Sequence, residues 1–104
     1  MSFYAYVQDV AAEWESYEAI ASALGDTAPE GMVMRVAGAT DAGFRVIEVW
    51  ESRGAWEAFR DSQLRPVLRG LAGDAPERPP IFEDLVVGHA IFSSARFGSV
   101  SQPQ

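Results

Sequence analysis

The chain has 104 residues and a formal net charge of -7, from 15 acidic against 8 basic residues, and every basic residue is an arginine. That length supports a single domain with a real core, since folding at this size hides roughly two-thirds of the unfolded chain's surface. The charge argues against a nucleic-acid partner; the lack of lysine removes Schiff-base and Walker-type phosphate chemistry, and the lack of cysteine removes thiol nucleophiles, thiolate metal sites and disulfides.

His89 is the single histidine, so a zinc site would have to take its other ligands from carboxylates, an uncommon donor set. The start, MSFYAYVQDV, lacks the basic residues and long apolar run of a signal peptide, and no window approaches the ~20 apolar residues of a membrane span. These features predict a cytoplasmic protein with no membrane partner.

Phe3 to Val10, rich in aromatic and β-branched residues, reads as a first strand. Trp14, Tyr17, Ile20, Ala21 and Leu24 then recur at helical spacing, with Gly25 as the stop. After a loop at Pro29, Glu30 and Gly31, Met32 to Ala37 and Phe44 to Glu51 form a predicted hairpin around the turn-rich GATDAG. Ser52 can cap a second helix lined by Trp56, Phe59, Leu64, Val67, Leu68 and Leu71, which Pro66 should bend or interrupt. GDAPERPP is a breaker-rich loop, and Ile81 to Phe92 contains a fourth strand, best defined from Leu85 onward. Residues 1–96 are expected to form one domain, with 97–104 a loose tail.

The order βαββαβ predicts an α+β, ferredoxin-like fold: a four-stranded antiparallel sheet with two helices on one face. Strand alternation assigns Ile47 and Val49 to the helix side, with Phe3, Ala5, Val7, Met32, Met34, Val36 and Val86. It leaves Tyr4, Tyr6, Gln8, Arg35, Phe44, Val46, Glu48, Trp50, Leu85, Val87, His89 and Ile91 on the other side. Exposed apolar area on that scale marks an interface, so a second subunit is expected to cover it.

The segment RVIEVWES followed by AWEAF, with ESYEAI and PEG before it, resembles the antibiotic-biosynthesis-monooxygenase-like group of the dimeric α+β barrel superfamily. The resemblance covers residues 3 to 92 in element order. It implies a homodimer paired through its sheets and a small-molecule cavity in each subunit. The quinone-forming and haem-degrading members carry an asparagine four residues before the strand tryptophan; here that position is Val46. The haem-degrading type also uses a histidine on the second helix, which this chain lacks, so haem cleavage is not implied.

Glu48 sits between apolar neighbours in a strand. A carboxylate inside a barrel could serve as general acid or base; alternatively it pairs with an arginine such as Arg35 and holds the structure in register. His89, Tyr4, Tyr6 and Gln8 on the same expected face would complete a proton-transfer pocket, although a lone strand histidine is more often a satisfied core residue. Trp50 could stack on an aromatic substrate or pack at a dimer seam, and Trp56 is a core residue that could also line the cavity.

Three functions follow. The first is an enzyme without cofactor acting on an aromatic or polyketide-like molecule, with Glu48 or His89 moving a proton, Tyr4, Tyr6, Gln8 and Arg35 binding substrate, and Trp50 and Trp56 as walls. The second is a non-catalytic, ligand-binding or accessory dimer. The third is metal-assisted chemistry through His89 and Glu48.

Overall fold

The structure is a computed structural model that describes residues 2–72 and 81–93; the breaker-rich loop 73–80 and the tail 97–104 lie outside the described residues. Strand β1 (Tyr4–Val10), helix α1 (Trp14–Leu24), the hairpin β2 (Met32–Thr40) and β3 (Gly43–Trp50), a second helical region and β4 (Ile81–Val86) follow in the expected order. The four strands form one antiparallel sheet in the order β2-β3-β1-β4, the ferredoxin-like arrangement.

Helix α1 ends where Gly25 takes a positive φ of 86° and returns its N–H to the Ala21 carbonyl, a conformation that favours glycine. Its stripe of Trp14, Tyr17, Ile20, Ala21 and Leu24 is half-buried, and none of its residues is fully covered. The second helix begins at Ser52, whose hydroxyl accepts from the Ala55 N–H at 3.1 Å. It runs as α2 (Arg53–Phe59), widens to a π-helical turn over Arg60–Leu64, and resumes as α3 (Arg65–Ala72). Pro66 interrupts rather than ends it: proline has no N–H for the Ser62 carbonyl, and the turn just before it has already shifted to the wider bonding pattern.

The hairpin is longer than expected. Gly38, Ala39 and Thr40 pair with Arg45, Phe44 and Gly43, leaving only Asp41 and Ala42 to turn the chain. Gly43 has a φ of 153°, and a Cβ there would collide with the Val10 carbonyl and the Ala12 backbone.

The faces of β1 and β3 are reversed relative to the expectation, and so is that of β2 from Met34 onward, while Met32 keeps the helix side. Tyr4, Tyr6, Phe44, Val46, Glu48 and Trp50 are buried beneath the helices with Trp56 and Phe59, whereas Ile47, Val49, Ala5 and Val7 line the open side. Both sets are apolar, so alternation cannot choose between them; size can. An aromatic ring buries about 150–250 Å², more than the competing aliphatic side chains, and these rings also pack against those of the helices, Phe44 edge to face and Trp50 tilted. Trp50 lies 5.2 Å from Phe59 and 5.9 Å from Trp56 between ring centroids, and Phe44 lies 5.6 Å from Tyr17.

Strand β4 also differs: it spans Ile81–Val86, not the segment from Leu85 onward. Its length follows β1, because Ile81 pairs with Asp9 and Val86 with Tyr4, and a last bond from the Val87 N–H to the Phe3 carbonyl closes the ladder. Val86 and Leu85 keep the sides expected of them, Val86 in the row of Tyr4 and Leu85 in that of Ala5.

Candidate functional site

The helix-covered face of the sheet carries one polar row across all four strands. Arg35 on β2 stands opposite Glu48 on β3, Glu48 opposite Tyr6 on β1, and Tyr6 opposite Asp84 on β4. A bulge puts Arg35 there: β2 shifts register between Met32 and Met34, so Val33 has no partner. Met32 and Arg35, an odd step apart, therefore both face the helices.

Glu48 is 3% exposed, and both its oxygens are engaged. Oε2 accepts from Arg35 Nε at 2.6 Å, and Oε1 accepts from the Trp50 indole Nε1 at 2.8 Å. Burying a carboxylate unpaired would cost several kcal/mol (order of magnitude), so the cation and the indole are what permit the charge. Burial alone would push the Arg35 guanidinium down, but Glu48's charge and hydrogen bond outweigh that and raise it. The guanidinium also sits over Phe59, 5.8 Å from the ring centroid.

Tyr6 stands beside the same carboxylate. Burial, and then Glu48's negative charge, push its phenol well above the ordinary range, so it stays a proton donor at neutral pH. Its ring packs 4.8 Å from Trp56 and 4.9 Å from Phe82. Tyr4, one row along, donates its O–H to Asp84 Oδ2 at 2.7 Å, while the Arg53 guanidinium sits 5.8 Å from its ring centroid. Burial first, then the Asp84 bond and charge, push the Tyr4 phenol up to about 12.

Of the residues singled out from sequence, Tyr4, Tyr6, Gln8, Arg35, Glu48, Trp50 and Trp56 thus share the helix-covered layer, with half-buried Gln8 in the row beyond Tyr6. His89 does not join them. It lies beyond the end of β4, exposed and outside the paired strands, because the ladder with β1 runs out at Val87. Among the described residues no three of His, Asp and Glu converge as a metal site would require. Asp84 and Arg53 were not anticipated, and Phe59 was expected only as part of the helix's apolar side; the alternation Phe82, Asp84, Val86 is the signal that would have placed Asp84 beside Tyr4. Two open surface depressions, of about 470 Å³ beside Ala11 and Asp41 and about 270 Å³ beside Val36 and Ile47, are lined by none of the expected site residues.

No family model and no curated protein matches the chain. Solved structures do. A protein of unknown function from Nitrosomonas europaea, NE2512, superimposes with a TM-score of 0.66 at 20% identity, over 89% of this chain and 95% of that one. A candidate antibiotic biosynthesis monooxygenase from Deinococcus radiodurans gives 0.60 at 14% identity, covering 89% and 98%. The monooxygenase from the gene ActVA-Orf6 of Streptomyces coelicolor, in complex with nanaomycin D, gives 0.53 at 22% identity, covering 89% and 93%. The chain therefore has the fold of antibiotic-biosynthesis-monooxygenase-like proteins. No helix among the described residues is long and apolar enough to cross a membrane.

Proposed function

We propose that this protein is a homodimeric, cytoplasmic α+β barrel enzyme that works without a cofactor on an aromatic or polyketide-like metabolite, by oxygenation or by proton transfer. The observation that carries this reading is the ion pair of Arg35 and Glu48, set among Tyr6, Trp50, Trp56 and Phe59 on the helix-covered face. A fixed cation among aromatic rings can hold an aromatic ketone or phenol and favour its enolate. The ligand in the ActVA-Orf6 complex, nanaomycin D, supports the substrate class.

In the oxygenation form, a ring methylene becomes a carbonyl: one atom of dioxygen enters the product, and the other leaves as water with the two hydrogens removed. No outside reductant is needed. Loss of the first proton, to solvent water at the exposed edge of Arg35, gives the electron-rich anion that dioxygen oxidises. In this proposal Arg35 steadies the developing oxyanion, Glu48 orients Arg35, and Tyr6, Trp50 and Trp56 form the buried floor beneath it. Gln8 binds at the far end, and Tyr4 braces Asp84. The homodimer is supported by the open face, where Val36 beside Ile47, Met34 beside Val49 and Leu85 beside Ala5 leave apolar surface uncovered.

A second reading, a non-catalytic ligand-binding dimer, is favoured by one observation: both Glu48 oxygens are already occupied, so no lone carboxylate stands ready as a base. The test is to incubate chelator-treated protein with an anthrone in air and follow oxygen uptake and product. The enzyme reading expects a protein-dependent rate that Arg35→Gln combined with Glu48→Gln, which leaves no buried charge stranded, cuts at least tenfold. Tight binding with no rate above the protein-free control would establish the second reading instead.

A further inference from the structure

We propose that Arg35, not Glu48, is the group that meets the ligand, and that it takes an uncharged oxygen acceptor, a ketone or quinone carbonyl on an aromatic ring, in preference to a carboxylate or phosphate. The inference rests on the small-molecule reading above and narrows it. Access comes first. Trp50 is 0%, Glu48 3% and Tyr6 3% exposed, whereas the Arg35 side chain is 19% exposed, so the cluster opens to solvent through the arginine.

Donor accounting comes next. A guanidinium has five N–H donors, and Glu48 uses only the one on Nε. Neither terminal amino group of Arg35 has a hydrogen-bond partner among the described residues, and no unpaired side-chain nitrogen is sealed from solvent, so both amino groups are open. The contrast with Arg45 is instructive. There Nε and Nη2 both engage Asp9, at 2.6 and 3.1 Å, in a two-pronged pair. At Arg35 the second carboxylate oxygen is turned away to the Trp50 indole, leaving the outer edge of the fork unoccupied. Phe59 over the guanidinium limits its swing, so that edge is preoriented.

Charge then selects the ligand. Glu48 already balances Arg35, and the chain carries -7, so a carboxylate or phosphate would lose its hydration to meet a neutral pair in an acidic protein. A carbonyl oxygen needs only donors. It gains two N–H groups of a charged fork without bringing an uncompensated charge.

The test is calorimetric binding of four probes with one ring system: naphthalene, 1-acetonaphthone, 1-naphthoate and 1-naphthyl phosphate. The wild-type protein is expected to bind the ketone about tenfold more tightly than naphthalene, the scale of one hydrogen bond from a charged donor, and both anions more weakly than the ketone. Arg35→Gln alone strands Glu48, so the variant of choice is Arg35→Gln with Glu48→Gln, which should bind ketone and hydrocarbon alike. If that pair does not fold, Arg35→Lys, whose ammonium is consumed by Glu48, should show the same loss. Equal binding of ketone and hydrocarbon by the wild type, tightest binding of either anion, or a ketone preference that survives in the variants would overturn the assignment to Arg35. If none of the four binds the wild type, the small-molecule reading itself falls.

Discussion

Arg35 and Glu48 stand directly opposite each other on β2 and β3, joined through Nε and Oε2 at 2.6 Å. Two neighbouring strands thus share one buried charge pair, and the Trp50 indole completes the carboxylate's bonding from the same strand two residues on. Removing Glu48 should hurt more than changing it. Glu48→Ala leaves a partly buried cation and an indole N–H without partners and is expected to destabilise by about 3 kcal/mol, with Glu48→Gln costing about half as much, read from urea unfolding. Equal stability of Glu48→Ala and wild type would show that the pair contributes nothing to the fold.

Alkaline pH should loosen the protein through its tyrosines. Tyr4 is pushed from its ordinary 10.0 up to about 12 by burial and Asp84, so the folded state holds its proton more firmly than the unfolded chain does. The stability this supplies is present in full below pH 10 and is lost as pH rises from 10 towards 12. Tyr4→Phe should flatten that decline in unfolding free energy measured across the same window. An unchanged slope would mean that other groups drive it.

The hairpin turn predicts a glycine requirement. At Gly43 a methyl group would meet the Val10 carbonyl at a φ that L residues rarely adopt. Gly43→Ala is expected to lower stability by more than ~1 kcal/mol, whereas Gly38→Ala, whose Cβ would enter open space, should stay within about 0.5 kcal/mol. Thermal melts of the two variants decide it.

If a second copy covers the open face, a charge at its centre should separate the subunits. Ile47, paired with Val36 on one side and Val7 on the other, is the position to change. Ile47→Asp should sediment as a single chain with an unaltered far-ultraviolet spectrum, while the wild type sediments as two. A wild type that is already monomeric at micromolar concentration would remove the dimer from the proposal.

His89 is exposed beyond β4, so His89→Ala should change neither turnover nor, beyond about 0.5 kcal/mol, stability. A large loss of activity would return the imidazole to the site, through a second subunit.

The element order was legible in the sequence, because the helical spacing of Trp14, Tyr17, Ile20, Ala21 and Leu24 and the breakers at Gly25 and around Asp41 are strong local signals. So was the partnership of Arg35 with Glu48, as one of two alternatives, and the gathering of Tyr4 and Tyr6 near it. Which side of the sheet they occupy was not legible: Ile47 and Val49 alternate with Val46, Glu48 and Trp50 as two equally strand-like sets, and only packing against Trp56 and Phe59 breaks the tie. The end of β4 was misplaced because Glu83 and Asp84 look like loop residues until Asp84 is seen accepting from Tyr4 across the sheet. His89 was grouped with Glu48 through that misplaced strand and through the reversed face of β3.

The unpartnered Val33 gives β2 an adjustable phase. Were Val33 lost, Met32 would stand two places from Arg35, and a regular strand would carry both to the helices as now. An edge strand with such a slip point can absorb a one-residue change in length and still keep Arg35 opposite Glu48. Variation in length among proteins of this shape would then be sought first in that short stretch, where it leaves the ion pair and the rings around it in place.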